Sequence, residues 1–471
     1  MGHRPSVLSL ALVSVWLVLL PGCGGDSEGP AGPTEPVCSI DVQSLSFGAV
    51  NVGESLDLNF RLKNTGGGTL TGTVSEACAD FSIVGNASYS LGAGDSATFT
   101  VRFFPGSAGN QACTIETGAS QCADLPCSGT GVGGDCYVDA SSGSDTNPGT
   151  FQAPFKTITF AVSAAGPDKV ICIRPGTYDV GLGEVFPIRL QQGQSLVGDT
   201  LNKGAGTTPT TVYGSGDADP TPTNPDYLAV FVGADESSIM GLSIGAPYAF
   251  ATYGVYTVDA TIRVLDNTYI SAPTELYGGV LAIRNGASSI MRNEFLTVSY
   301  GVYSINSAGG MVVEDNLFET MSIPVNIAGA TDNTLIRGNT FIGSGQVAVQ
   351  VFDGAPVIEN NTFNKPGGYA TYGAIRCAGS SANATVRGNT FICARGVGIL
   401  NAATPDLGSA SAPGGNDFSG VTGPAIDHTG TGLVSAVGNT WASSPPVCGS
   451  EIVVTGAGSV IWGTEAGEIC P

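Results

Sequence analysis

Charge is scarce in this sequence. Lys and Arg number 17 and Asp and Glu 39 in 471 residues, so charged side chains make up 12%. That excludes the highly charged, disordered class for most of the chain. A net charge of -22 argues against a polyanionic partner such as nucleic acid. Histidine is rarer still, with two residues, His3 and His428. No Ser-His-Asp arrangement, zinc-ligand spacing or phosphate-binding loop can be found. Past the first twenty residues no apolar run is long enough to span a bilayer. What the chain has in quantity is glycine, 69 residues, which suits many tight turns between short strands. Its length allows two or three domains.

Residues 1–22 read as a signal peptide. Arg4 gives a basic start, and VLSLALVSVWLVLL (7–20) is an apolar stretch too short for a comfortable span. It ends in LPGC (20–23), which resembles the lipobox of bacterial lipoproteins. The resemblance implies cleavage before Cys23, lipidation of its thiol, and membrane attachment through that lipid. An ordinary secretory peptide with a coincidental cysteine is the alternative. Residues 23–37 carry the lipidated Cys and a Gly/Pro/acidic tether. The expected location is the bacterial cell envelope, lipid-anchored at the outer membrane or cell surface. Eleven cysteines follow Cys23, and in an exported chain most should form disulfides. Proximity suggests Cys136 with Cys172 and Cys448 with Cys470. Cys38, Cys78, Cys113, Cys122 and Cys127 leave one odd thiol in the first domain.

That domain, 38–134, has period-two hydrophobicity. Leu56, Leu58, Phe60 and Leu62 alternate with polar residues, and so do Phe99, Val101 and Phe103. Several such strands indicate a β-sandwich. The ordered landmarks LSFGAVNVGES (45–55), LKNTGGGTL (62–70), DFSIV (80–84), TVRFFPGSAG (100–109) and CSGTG (127–131) resemble immunoglobulin-like domains of the hydin and abnormal-spindle type. The resemblance implies spacing or protein contacts rather than catalysis.

Residues 135–200 change character. The series CYVDASSGSDTNPGT, PFKTITFAV, VICIRPGTYD and GEVFPIRL resembles the uncharacterised domain that opens many bacterial β-helix lipoproteins of the pectate-lyase-like superfamily. Residues 160–165 are expected to form a short helix closing the open end of a β-helix. Asp139 and Asp145, with Ser142 and Asn147, are weak calcium candidates; Asx-turn hydrogen bonding is the plainer account.

From residue 260 an Asn-x-aromatic signature recurs every 22 to 28 residues: Asn267, Asn293, Asn316, Asn339, Asn361, Asn389, Asn416 and Asn439. A repeat of this length signals a solenoid. The expected fold is all-β: an N-terminal immunoglobulin-like β-sandwich plus a right-handed single-stranded parallel β-helix over 201–445, closed by a C-terminal cap at 446–471. Each Asn is expected to make a left-handed bend and to bond its counterparts in adjacent coils, and each aromatic to stack inside. Two residues before the Asn, Glu314, Arg337, Glu359 and Arg387 should form an outward ladder of alternating charge.

A second strand of each coil begins with a small residue, as in GVYTV (254–258), GVYSI (301–305) and GAIRC (373–377). Strand alternation then puts Tyr256, Tyr303, Asn326, Gln350, Arg376 and Asp427 on one outward stripe. Aromatic rings and amides in a row suit a chain-like ligand, so an adhesive or glycan-binding face is the leading expectation. A polysaccharide lyase or glycoside hydrolase is the alternative. The stripe offers Arg376 and Asp427 but not two carboxylates facing each other across a bond. A structural envelope spacer is the third reading. No cofactor is firmly implied, with calcium the one possibility weighed.

Overall fold

The computed structural model describes residues 35–52, 55–105, 108–218, 227–247, 252–270, 276–296, 298–319, 322–329, 331–343, 345–464 and 467–471. The expected signal peptide and the expected lipidation site Cys23 lie outside them. The chain is nearly all-β, a sandwich followed by a parallel β-helix.

The alternating segments form the sandwich. Leu56–Asn64 pairs antiparallel with Ser96–Phe103 along its length, flanked by Cys38–Ile40 and Phe81–Val84. Opposite lies a sheet of Leu45–Asn51, Leu125–Val132 and Gly109–Ile115. Phe47, Phe60, Phe81, Phe99 and Phe103 fill the space between. Cys38–Cys122 and Cys78–Cys113 are disulfides. Cys38 is paired with Asn64 at one end of the sheet. The exit at Val132 is hydrogen-bonded to Val52 at the other end, beside the start of Leu56–Asn64. The chain therefore enters the sandwich at Cys38 and leaves it toward the β-helix at opposite ends, roughly 27 Å apart at strand rise.

Each coil of the β-helix contributes a strand to three parallel sheets. The first runs from Cys136–Val138 to Thr385–Arg387, the second from Gly176–Asp179 to Thr390–Ile392, and the third from Ile188–Arg189 to Ile452–Val454. The expected end cap is the helix Ile158–Ala165. Thr157 caps it, accepting from Phe160 N, while the buried Glu184 carboxylate accepts from Ile158 N at 2.6 Å and Thr159 N at 2.9 Å. Those are orphan donors of a first helical turn. Cys448–Cys470 closes the far end as expected. Cys136 and Cys172 are not bonded to each other. Cys136 stands opposite Ile171 and Tyr137 opposite Cys172, so this one-residue offset turns the two side chains to opposite faces.

The repeated asparagines form one polar column. In all seven steps from Asn267 to Asn439 the Nδ2 of one donates to the Oδ1 of the next, at 2.8–3.1 Å. The aromatics stack beside it, Tyr269 through Phe295, Phe318, Phe341, Phe363, Phe391 and Phe418 to Trp441. Their centroids are 4.6–5.3 Å apart and their planes within 23°. Two expectations change. The left-handed residue is the one before each Asn: Asp266, Arg292, Asp315, Gly338, Asn360, Gly388, Gly415 and Gly438 all have positive φ. The Asn supplies the bonds and its predecessor the bend. The charge ladder is also incomplete. Arg337 pairs with Glu314 at 2.6 Å, but Arg387 turns away from Glu359 to Asp406.

Candidate functional site

The stripe expected to face outward is a single register row of the third sheet, but Tyr256, Leu281, Asn326 and Gln350 in it are buried. Tyr256, Leu281, Tyr303, Asn326, Gln350, Arg376, Gly398 and Asp427 stand directly opposite one another in turn. Their chain neighbours Val255, Val280, Val302, Val325, Val349, Ile375, Val397 and Ile426 lie in the main core. The small residues starting these strands have a cause inside the coil. A Cβ on Gly254, Gly279 or Gly301 would fall 2.5, 2.3 or 2.5 Å from the ring of Tyr269, Phe295 or Phe318.

The row divides into two parts. Its first part is covered by tyrosine. The rings of Tyr227, Tyr253, Tyr277, Tyr300 and Tyr303 form a chain of contacts with centroids 5.1–6.0 Å apart, and Tyr227 also meets Tyr256. All of these but Tyr300 belong to an apolar cluster separate from the main core, with Val258, Ile283 and Ile305 on its flank. Burial, reinforced by Tyr300, pushes the Tyr277 phenol up to about 12, and burial raises Tyr253 and Tyr303 too. These hydroxyls therefore stay neutral near pH 7. The sequence reading missed Tyr253, Tyr277 and Tyr300. A signal was present: a Tyr-Gly pair opens three of these strands, at 253–254, 277–278 and 300–301.

The second part is not open as expected. The Arg376 guanidinium lies 4.3 Å from the Tyr372 ring centroid, and its Nη1 donates to Gln350 Oε1 at 3.4 Å. Arg395 Nη1 donates to Thr371 O at 3.0 Å and forms an ion pair with Asp427. Between these arginines Gly398 has no side chain, and a Cβ there would lie 2.1 Å from Tyr372 O. The turn 369–373 thus lies across the row, held by Arg376 on one side and by Arg395 with Asp427 on the other. Arg395 does not fall on the strand period, which is why the sequence did not single it out. Three buried polar atoms around this boundary have no hydrogen-bond partner: Asn326 Oδ1, Arg376 Nε and Arg395 Nε. Asn326 is only 4% exposed.

The weak calcium candidates do not converge. Asp139 accepts from Ser141 N, Ser142 N and both serine hydroxyls, and pairs with Arg174. Asp145 accepts from Lys156 N, Thr157 N and Thr157 Oγ1. Every oxygen of both carboxylates already accepts at least one hydrogen bond, as Asx turns and a strap to the helix N-terminus require. Among the described residues no group of three His, Cys, Asp or Glu side chains could hold a metal ion. His428 faces inward, with Nε2 2.7 Å from Gly432 O.

A HYDIN/CFA65/VesB-like immunoglobulin-like domain family matches residues 36–124. The human CEP192 ASH/PapD-like domain 7 is similar at 16% identity over 26% of this chain and 99% of its own, with a TM-score of 0.19. A GH87 α-1,3-glucanase catalytic unit from Streptomyces thermodiastaticus is 12% identical over 88% of each chain, with a TM-score of 0.40. DFA-IIIase from Arthrobacter chlorophenolicus A6 is 14% identical over 57% of this chain and 73% of its own, with a TM-score of 0.36. No curated protein matches the chain. The family described as protein of unknown function (DUF1565) matches residues 141–448, reaching well past the cap motifs that carried the resemblance. The chain belongs to that family.

Proposed function

We propose that this is a surface lipoprotein of the bacterial envelope, anchored through Cys23, whose β-helix displays a glycan-binding, adhesive face. The observation that carries the reading is the register row from Tyr256 to Gln350, with its chain of tyrosine rings and its buried, unpartnered Asn326 acceptor. Aromatic faces bind the apolar faces of sugar rings, and amides satisfy hydroxyls. The opposite exits of tether and β-helix suit a stalk that holds this face away from a membrane. Hydrolysis by paired carboxylates has less support, because Asp427 is the one carboxylate of the row and is ion-paired with Arg395.

The test is retention on a polysaccharide panel, with and without calcium, using the purified full chain. The expected result is retention without cleavage that falls at least about tenfold in Tyr303→Ala and in Gln350→Ala, as loss of a central contact implies. New reducing ends or unsaturated uronates would replace adhesion with catalysis. No retention on any glycan would leave the spacer reading.

A further inference from the structure

In the sandwich Cys113 has a cysteine on either side of it and is joined to only one of them. Cys113 is bonded to Cys78, their Cα atoms 5.9 Å apart. On the neighbouring antiparallel strand, Cys127 stands directly opposite Cys113. Directly opposed residues of an antiparallel pair point to the same face with Cα atoms about 4.5–5.5 Å apart. That lies within the range a disulfide bridges without moving backbone, about 4.4–6.8 Å. Both side chains are in the sandwich core, Cys113 at 7% and Cys127 at 3% exposure. Cys78 is half-buried, on the segment between Leu70–Thr73 and Phe81–Val84.

We propose that Cys113 is a disulfide-exchange centre with two alternative partners, Cys78 and Cys127. In the exchange Cys127 gives up its proton and its thiolate attacks Cys113 Sγ. The Cys113–Cys127 bond forms as the Cys78–Cys113 bond breaks, and the electron pair leaves with Cys78 Sγ, which takes up a proton. Nothing is oxidised or reduced overall, so no external oxidant is required. The outcome moves the sandwich's odd thiol from the interior to the half-buried Cys78, where a thiol-bearing partner can reach it. Burial pushes the Cys127 thiol up to about 11. Exchange in the closed fold is therefore slow, and local opening or a small-thiol buffer speeds it.

The test is alkylation of the full chain without reductant, followed by peptide mapping by mass spectrometry. In the wild type incubated in glutathione redox buffer, Cys113–Cys127 peptides and alkylated Cys78 should accumulate together. In Cys127→Ser, Cys78 alkylation should fall to background. In Cys78→Ser, Cys113 and Cys127 should be found joined. The proposal is overturned if the wild type never yields a Cys113–Cys127 peptide, or if Cys78→Ser leaves both thiols open to alkylation after denaturation.

Discussion

At Asn339 a single side chain serves three coils. Its Nδ2 donates to Val313 O, Arg337 O and Asn361 Oδ1, and its own Oδ1 accepts from the backbone and amide of Asn316. All of this takes place at 1% exposure, where water cannot substitute for a lost partner. Asn339→Ala should therefore cost about 3 kcal/mol or more, because each orphaned buried group costs roughly 1–3 kcal/mol. Chemical denaturation of the β-helix, read by tryptophan or far-UV signal, checks it. Asp in place of Asn keeps the acceptor and loses the donor, so it should not rescue. The preceding Gly338, at φ 65°, supplies the turn. That division of labour was not legible in the sequence, since the bend position is filled by Asp, Arg, Asn and Gly in different coils and carries no signature of its own. The column itself was legible, because every coil must present an amide and a ring at one place to the same neighbours.

The capping helix shows how an element joins separate motifs. Asp139 and Asp145 fix the loop before it, and Glu184 reaches back to its first turn. Burial works against ionisation of Asp139, yet the hydrogen bonds from Ser141 and Ser142 prevail and hold its carboxyl well below the usual range. A carboxyl lowered in the folded state contributes stability above its unfolded pKa, near 4, and loses it as pH falls toward the folded value. Glu184 runs the other way. Burial raises its carboxyl despite the bonds from Thr159 and Ile158, so its share is largest in acid and is lost as pH rises through the raised value. Asp139→Asn should thus flatten the fall of melting temperature below about pH 4, and a pH series of thermal melts checks it. An unchanged acid slope would remove Asp139 from this role. The strands and the helix were readable from period and order of motifs. The turn 369–373 over the stripe was not, because the contact of Tyr372 O with Gly398 joins different coils and follows no local period.

For the whole molecule, sandwich and β-helix have separate cores, and the Cys38–Cys122 disulfide sits where the chain enters the sandwich. In the proposed arrangement, fixed at one end and bound at the other, the protein would carry tension, and the disulfide would decide what that tension can reach. Force entering at Val37 crosses the sulfurs from Cys38 to Cys122 and leaves through the strand Leu125–Val132 toward the β-helix. The chain between the two cysteines, a sequence separation of 84, lies off the loaded path. In single-molecule stretching between residues 35 and 135 the oxidised sandwich should therefore lengthen little. Once reduced, it should release up to about 290 Å more, at roughly 3.4 Å per extended residue. On the proposed reading, a bond that looks like a fold staple would thus set how far an attached cell or polymer could be pulled before the sandwich gives way.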